Sequence, residues 1–177
     1  MEKKPTSHFV AGLLISLILI IIFLAFYFTG NAFNRGPISW LPTLVFAAGI
    51  IYYIIQFSKA KDHNVTFGSC FSYGFKTTAI VAIVMSAFLL IFLFIFPEYK
   101  TEFVDFMTAE MEKSSSKLSD EQVEQSVEMM SKFFMVSAVG GGLFMNLVIG
   151  AIASLIGAAV AKKNPQTPFQ NTTTINQ

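Results

Sequence analysis

Four long stretches without charged side chains constrain the fold of this chain more than any other feature. They lie between Lys4 and Arg35, between Arg35 and Lys59, between Lys76 and Glu98, and between Lys132 and Lys162. Roughly 18 consecutive apolar residues let a helix cross the ~30 Å hydrocarbon layer of a membrane. We therefore predict an all-α fold, a four-helix transmembrane bundle with spans at about residues 9–28, 38–57, 77–96 and 133–161.

The composition agrees with a single membrane domain. Hydrophobic residues make up 54% of the chain and charged residues only 13%, whereas soluble domains are about a quarter charged. We predict a membrane domain over residues 9–163, a short N-terminal segment over residues 1–8, and a disordered polar tail over residues 164–177. The single cysteine, Cys70, excludes an internal disulfide.

The basic residues are distributed unequally between the two sides that the spans define. One side holds seven of them: Lys3, Lys4, Lys59, Lys61, Lys76, Lys162 and Lys163. The other side holds five, spread over a longer length: Arg35, Lys100, Lys113, Lys117 and Lys132. Cytoplasmic segments carry the excess of Lys and Arg near span ends. We therefore predict that both termini are cytoplasmic and that the segment over residues 97–132 faces outward.

The segment over residues 97–132 has the pattern of an acidic helical hairpin. Its first half has apolar residues on one face, namely Tyr99, Phe103, Phe106, Met107 and Met111. Ser119 and Gln122 resemble a capping box that starts a second helix. The apolar stripe of that helix continues into span four through Val123, Val127, Met130 and Phe134. Such faces pack on each other, lie on lipid headgroups or dock a partner, and the sequence leaves these alternatives open.

Span four has a stripe of small residues, and these are the helix-packing candidates of the chain. They recur every four residues as Ala138, Gly142, Asn146, Gly150, Ser154 and Ala158. Small residues at this spacing let another helix approach closely. That helix belongs either to the same bundle or to a second copy of the chain. Asn146 needs a polar partner in this apolar setting, so it is either a link between helices or a polar point on a substrate path.

The spans lack the side chains that several membrane machines require. Proton relays, ion-coupled transporters and voltage sensors place acidic, basic or histidine residues within the membrane, and the four predicted spans contain none of these. His63 and Cys70 are spaced for neither a zinc pair nor a catalytic dyad. The basic residues are too few and too dispersed to bind nucleic acid. We therefore expect a protein that is not an enzyme and has no cofactor, metal or nucleic acid.

Three local patterns together resemble a known family. They are Val65–Gly68 before span three, Phe96–Tyr99 after it, and Leu118–Gln122 at the start of a Met-rich helix. Over residues 8–162 the chain resembles the domain-of-unknown-function family 4199, small four-span bacterial inner-membrane proteins. The resemblance implies a multi-pass protein of the bacterial inner, or cytoplasmic, membrane. It implies no activity and no functional residues.

Two hypotheses for the function follow from these patterns. In the first, the protein is a non-enzymatic membrane module in the lipid bilayer. It associates through span four with a second copy, as a homodimer, or with another membrane protein. The acidic hairpin is then a contact or sensing surface. In the second hypothesis, the protein is a small oligomeric channel or carrier that uses the small-residue face around Asn146.

Overall fold

The computed structural model describes residues 5–33, 36–114 and 120–164, and all regular elements in these ranges are helices. The helices are α1 (His8–Phe28), α2 (Leu41–Ala60), α3 (Phe67–Ile95), α4 (Glu98–Ser114) and α5 (Asp120–Val160), with a 3-10 turn over Pro37–Trp40 before α2. The predicted all-α class is confirmed. Ser119 of the predicted capping box and the predicted disordered tail from residue 165 onward lie outside the described residues.

Four of these helices are long and apolar enough to cross a membrane: His8–Phe28, Pro37–Ala60, Phe67–Ile95 and the Glu124–Val160 part of α5. This finding supports the predicted integral membrane protein. α3 begins at Phe67, whereas the sequence placed the third span from residue 77. The earlier start has a local cause, because the Thr66 hydroxyl accepts from the Ser69 amide and the Ser69 hydroxyl accepts from the Thr66 amide.

A proline separates α3 from α4. The residue before a proline is sterically disfavoured in helical geometry, and Phe96, which precedes Pro97, has the non-helical angles φ −120° and ψ 71°. α4 therefore begins as a new helix and packs against the first part of α5, where the Phe103 and Phe134 rings are 5.4 Å apart. Phe134 is buried, and Met130 is half-buried.

The bundle has a simple arrangement of neighbours. α3 makes its most extensive contact with α5 and also packs against α1, while α2 contacts α1, α3 and α5. α2 and α3 therefore lie between α1 and α5. This places α1 and α5 at opposite corners of the bundle.

The two ends of the bundle are distinguished by the segments that meet there. At the termini end, the Tyr73 hydroxyl donates to the Thr6 carbonyl at 2.8 Å, and the Asn164 amide donates to the His63 carbonyl at 2.7 Å. At the hairpin end, the Phe33 ring, which follows α1, lies 5.2 Å from the Tyr99 ring of α4. We call these two regions the termini end and the hairpin end.

Candidate binding site between the helices

The small-residue stripe of α5 lies in two different environments. Gly150, Ser154 and Ala158 are buried toward the termini end, whereas Ala138, Gly142 and Asn146 are only half-buried toward the hairpin end. The structure therefore places all six residues on one helix but does not bring them into one packing surface.

Neighbouring side chains fill the space beside the small residues of the termini end. A Cβ atom on Gly150 would overlap the Thr78 side chain of α3. A Cβ atom on Gly157 would lie 2.6 Å from Ile54 Cδ1 of α2, much closer than two carbon atoms can approach. The absence of a side chain at these glycines therefore lets α5 pack directly on α2 and α3.

α1 packs in the same manner at the termini end. A Cβ atom on Gly12 would lie 2.7 Å from the Ile80 Cβ atom of α3. Ile50 and Ile54 of α2 are fully buried in the same region. The interior of the termini end is therefore closed by the contacts of α1 with α3 and of α5 with α2 and α3.

The hairpin half of the stripe has open space instead. No heavy atom outside its own helix lies within 4 Å of a Cβ atom built on Gly142. Three adjoining cavities occupy this part of the bundle. We call them the loop cavity, of about 240 Å³, the middle cavity, of about 90 Å³, and the hairpin cavity, of about 310 Å³.

Each cavity lies against a different set of elements. The loop cavity lies between α1, α2, α3, α5 and the segment before α2, and its walls include Phe26, Ser39, Thr43, Phe46, Met85 and Asn146. The middle cavity lies between α1, α3 and α5, with walls that include Met85, Ser86, Leu89, Ala138, Gly142 and Asn146. The hairpin cavity lies beneath α4, with walls that include Leu89, Tyr99, Phe103, Met130, Phe134 and Ala138.

Phe23 of α1 is the one wall residue common to all three cavities described here. Its ring makes edge-to-face contacts with Phe88, at 5.4 Å between centroids, and with Phe92, at 5.0 Å. No sequence pattern pointed to Phe23 as a wall residue of a cavity. Since the chain has 20 phenylalanines, no sequence signal distinguishes this one.

Asn146 supplies the polar group shared by the loop and middle cavities. Its Nδ2 atom donates a hydrogen bond to the Gly142 carbonyl of its own helix at 3.0 Å. No described residue donates a hydrogen bond to its Oδ1 atom, and the second Nδ2 hydrogen is likewise without an acceptor among them. The side chain therefore forms no hydrogen bond between two of the described spans. One N–H group and the Oδ1 atom of Asn146 remain available to a bound molecule.

The remaining polar groups of the loop and middle cavities are also uncharged. The Ser39 hydroxyl donates to the Gly36 carbonyl at 2.8 Å, and the hydroxyls of Thr43 and Ser86 belong to the walls. The only titratable side chain at the hairpin cavity, among the residues described, is Tyr99. Burial, and then the nearby Glu102 carboxylate, raise the pKa of Tyr99, so its hydroxyl stays neutral at physiological pH.

A protein-family comparison matches the part of the chain that forms these cavities. A family described as a protein of unknown function, DUF4199, matches residues 11–163, which is most of the chain. The chain belongs to the DUF4199 family. The resemblance predicted from the sequence is thereby confirmed, and no curated protein and no solved structure matches the chain. The matched range includes every wall residue of the three cavities in this DUF4199 protein.

A second polar cluster of this DUF4199 protein lies at the termini end. The Ser58 hydroxyl, fully buried, donates to the Lys162 carbonyl and lies 3.0 Å from His63 Nδ1. Lys163 donates to the Ala159 and Ala161 carbonyls at the end of α5. These bonds satisfy helix ends and hold the loop after α2 against the chain after α5, so we assign the cluster a structural role.

In the part of the chain that the structure describes, no group of three or more His, Cys, Asp or Glu side chains is placed to hold a metal ion. Cys70 is buried in α3. The loop and middle cavities combine apolar walls with uncharged polar groups that converge on Asn146. Such a combination is the usual form of a small-molecule site.

Proposed function

We propose that this protein is a non-enzymatic membrane protein that binds a small, mainly apolar molecule in the three adjoining cavities, with its polar group at Asn146. The observation that carries the proposal is the open space beside Gly142, on the same stripe that is closely packed at Gly150. A molecule that fills such a cavity gains dispersion contacts with its walls. Asn146 provides a hydrogen-bonding group at the junction of the loop and middle cavities.

The closed termini end favours binding over conduction. Thr78 occupies the space at Gly150, and Ile54 occupies the space at Gly157, so the cavities do not continue through one bundle. A channel or carrier would have to open these contacts or place its path between several copies. A binding site that is closed at one end requires neither.

The hairpin gives the proposed module a surface that responds to the bound molecule. Tyr99 and Phe103 of α4 line the hairpin cavity from above, while Glu98 and Glu102 of the same helix are exposed. A molecule that fills the cavities would therefore alter the position of α4 and of its acidic face. This is how the proposed contact or sensing role of the hairpin would depend on occupancy.

Two neighbouring glycines allow a matched test of the site. Gly142→Leu places a side chain into the middle cavity, whereas Gly141→Leu places the same side chain on the exposed side of α5, where a Cβ atom meets nothing within 4 Å. Purified from native membranes and examined by native mass spectrometry, the unaltered protein and Gly141→Leu should carry a bound small molecule. Gly142→Leu should lose it by at least tenfold. Equal retention by the two variants, or no bound molecule in any sample, would reject the proposal.

We further propose that the protein lies in the bacterial inner membrane with both termini in the cytoplasm, on the basis of the charge distribution. Lys61 and Ser126 are exposed at opposite ends of the bundle. In a Cys70→Ala background, a membrane-impermeant thiol reagent applied to intact cells with a permeabilised outer membrane should label Ser126→Cys. Lys61→Cys should react only after the inner membrane is opened. Reversed labelling would invert this topology.

A second candidate function, self-association through span four, is favoured by another face of the same helix. Gly140 and Gly141 are exposed, and a Cβ atom on either would meet nothing within 4 Å. Close approach of a second α5 is therefore sterically open there, whereas the buried half of the stripe is already used inside the bundle. In the Cys70→Ala background, Gly141→Cys should form a disulfide-linked dimer in membranes. Ala153→Cys, which is 2% exposed, should not. Monomer from both variants would remove this candidate.

A further inference from the structure

We infer that the molecule bound in the cavities is an uncharged, single-chain amphiphile whose polar group is an amide or a hydroxyl. The inference rests on the proposed binding function and names the class of ligand for the same site. It follows from three properties of the walls: the unsatisfied half of the Asn146 amide, the neutrality of the polar groups, and the shape of the cavities.

The polar group of the ligand is set by Asn146. With one Nδ2 hydrogen bonded to the Gly142 carbonyl, the side chain still offers one N–H donor and the Oδ1 acceptor. A ligand amide supplies the matching acceptor and donor, and a hydroxyl supplies both functions from one atom. Hydrogen bonds between the ligand and Asn146 are stronger away from water than in solution, because water does not compete for the two groups.

The hydroxyls of Thr43 and Ser86 extend this polar region. Thr43 lines the loop cavity and Ser86 lines the middle cavity, and Asn146 lines both. All three groups are neutral, and each can both donate and accept a hydrogen bond. They therefore suit a polar group that also donates and accepts, rather than one that only accepts.

A charged ligand is disfavoured by the same walls. Neither the loop cavity nor the middle cavity has an ionisable side chain among its described wall residues. An ion that leaves water or the headgroup region without a countercharge loses its solvation and gains no compensating pair. A carboxylate, phosphate or ammonium group would therefore be excluded at the depth of Asn146.

The middle and hairpin cavities determine the length and bulk of the apolar part of the ligand. The middle cavity and the hairpin cavity share Phe23, Leu89 and Ala138 as wall residues, so they adjoin one another. From Asn146 to Met130 they follow α5 over sixteen residues, a rise of about 24 Å. The middle cavity is small, at about 90 Å³, and this volume favours one hydrocarbon chain over a fused-ring skeleton or a pair of acyl chains.

Three probes of equal chain length separate these properties. Dodecanamide carries the amide, dodecane carries no polar group, and dodecane-1-sulfonate is ionised at any working pH. The full-length protein in nanodiscs receives each probe at the same low mole fraction, and native mass spectrometry counts the bound molecules. We expect dodecanamide to bind at least tenfold more than either of the other two probes.

Asn146→Leu tests whether Asn146 causes the preference for dodecanamide, because this substitution removes the amide while keeping the volume of the side chain. In this variant, dodecanamide and dodecane should bind equally, while the sulfonate stays excluded. Gln56→Leu is the control: it removes an amide from α2 at the termini end and should leave the preference for dodecanamide unchanged. Intact folding of each variant is checked by its circular dichroism and by its elution as a single species.

The outcomes distinguish the ligand class from the site itself. If dodecanamide and the sulfonate bind equally, or if Asn146→Leu keeps the preference for the amide, the ligand class is overturned while the binding site stands. If none of the probes binds and Gly142→Leu changes no bound mass, the proposed function falls as well. Preference for dodecanamide that Asn146→Leu abolishes supports both.

Discussion

The two ends of this bundle use the same kind of residue for opposite purposes. At the termini end, Gly150 and Gly157 are covered by Thr78 and Ile54, so the missing side chains bring helices together. At the hairpin end, Gly142 is covered by no neighbouring helix, so its missing side chain leaves a cavity. A regular stripe of small residues therefore does not by itself define a packing surface.

The difference arises from the side chains opposite the stripe. The termini end presents the β-branched Thr78 and Ile54, which are compact and stiff and fit directly against a helix backbone. The hairpin end presents aromatic rings, and Phe23 and Phe92 satisfy their contacts edge-to-face with other rings, 5.0 Å apart. Rings that pack on one another do not enter the narrow space beside a glycine.

The largest expected effect tests this comparison directly. Gly150→Val forces a branched side chain into Thr78, and overpacking of this kind should lower the free energy of unfolding by about 3 kcal/mol. Gly142→Val, the matched control, should change it by less than about 1 kcal/mol because the added methyl groups enter a cavity. Unfolding by SDS in mixed micelles measures both. Equal losses would show that the two ends are packed alike.

A smaller effect is expected from the polar cluster that fastens the termini end. Ser58→Ala removes the donor of a part-buried hydrogen bond to the Lys162 carbonyl, which should lower the free energy of unfolding by about 1.5 kcal/mol. Ser126→Ala removes an exposed hydroxyl that donates only to its own helix, at the Gln122 carbonyl, and should change stability by less than about 0.5 kcal/mol. A loss no larger for Ser58→Ala than for Ser126→Ala would mean that the cluster does not hold this end.

The smallest effect is expected at the hairpin, where attachment depends on ring contacts. Phe33 lies 5.5 Å from Phe106, in a stacked arrangement, and 5.9 Å from Phe103. Phe33→Ala should weaken the attachment of α4 by about 1 kcal/mol. Hydrogen exchange should then become faster in α4 but stay unchanged in α3. Phe94→Ala is the control, since Phe94 is 88% exposed. Faster exchange throughout the bundle would show that the hairpin and the spans unfold together.

Much of the architecture was predictable from the sequence because lipid imposes strict requirements. The uncharged stretches specify the four apolar helices, since a backbone in hydrocarbon must satisfy its hydrogen bonds internally. The spacing of Phe67, Phe71 and Phe75 indicates a helix that leads into the third span, although two glycines lower its helix propensity. The start of α3 depends on the reciprocal hydrogen bonds between Thr66 and Ser69.

The candidate site was predictable only in part. Asn146 and Gly142 were singled out by their spacing on span four, and both line the cavities. Phe23 was not, because its importance depends on which helices surround it. The same holds for Ser58, whose partner Lys162 is 104 residues away in the chain.

The sequence by itself determined that this chain consists of apolar helices in a membrane, because hydrophobicity and charge act residue by residue along the chain. The tertiary structure decided which small residues pack and which leave space. That outcome depends on the shape of the side chain facing each glycine, and Thr78 and Gly150 meet only after two helices far apart in sequence have come together.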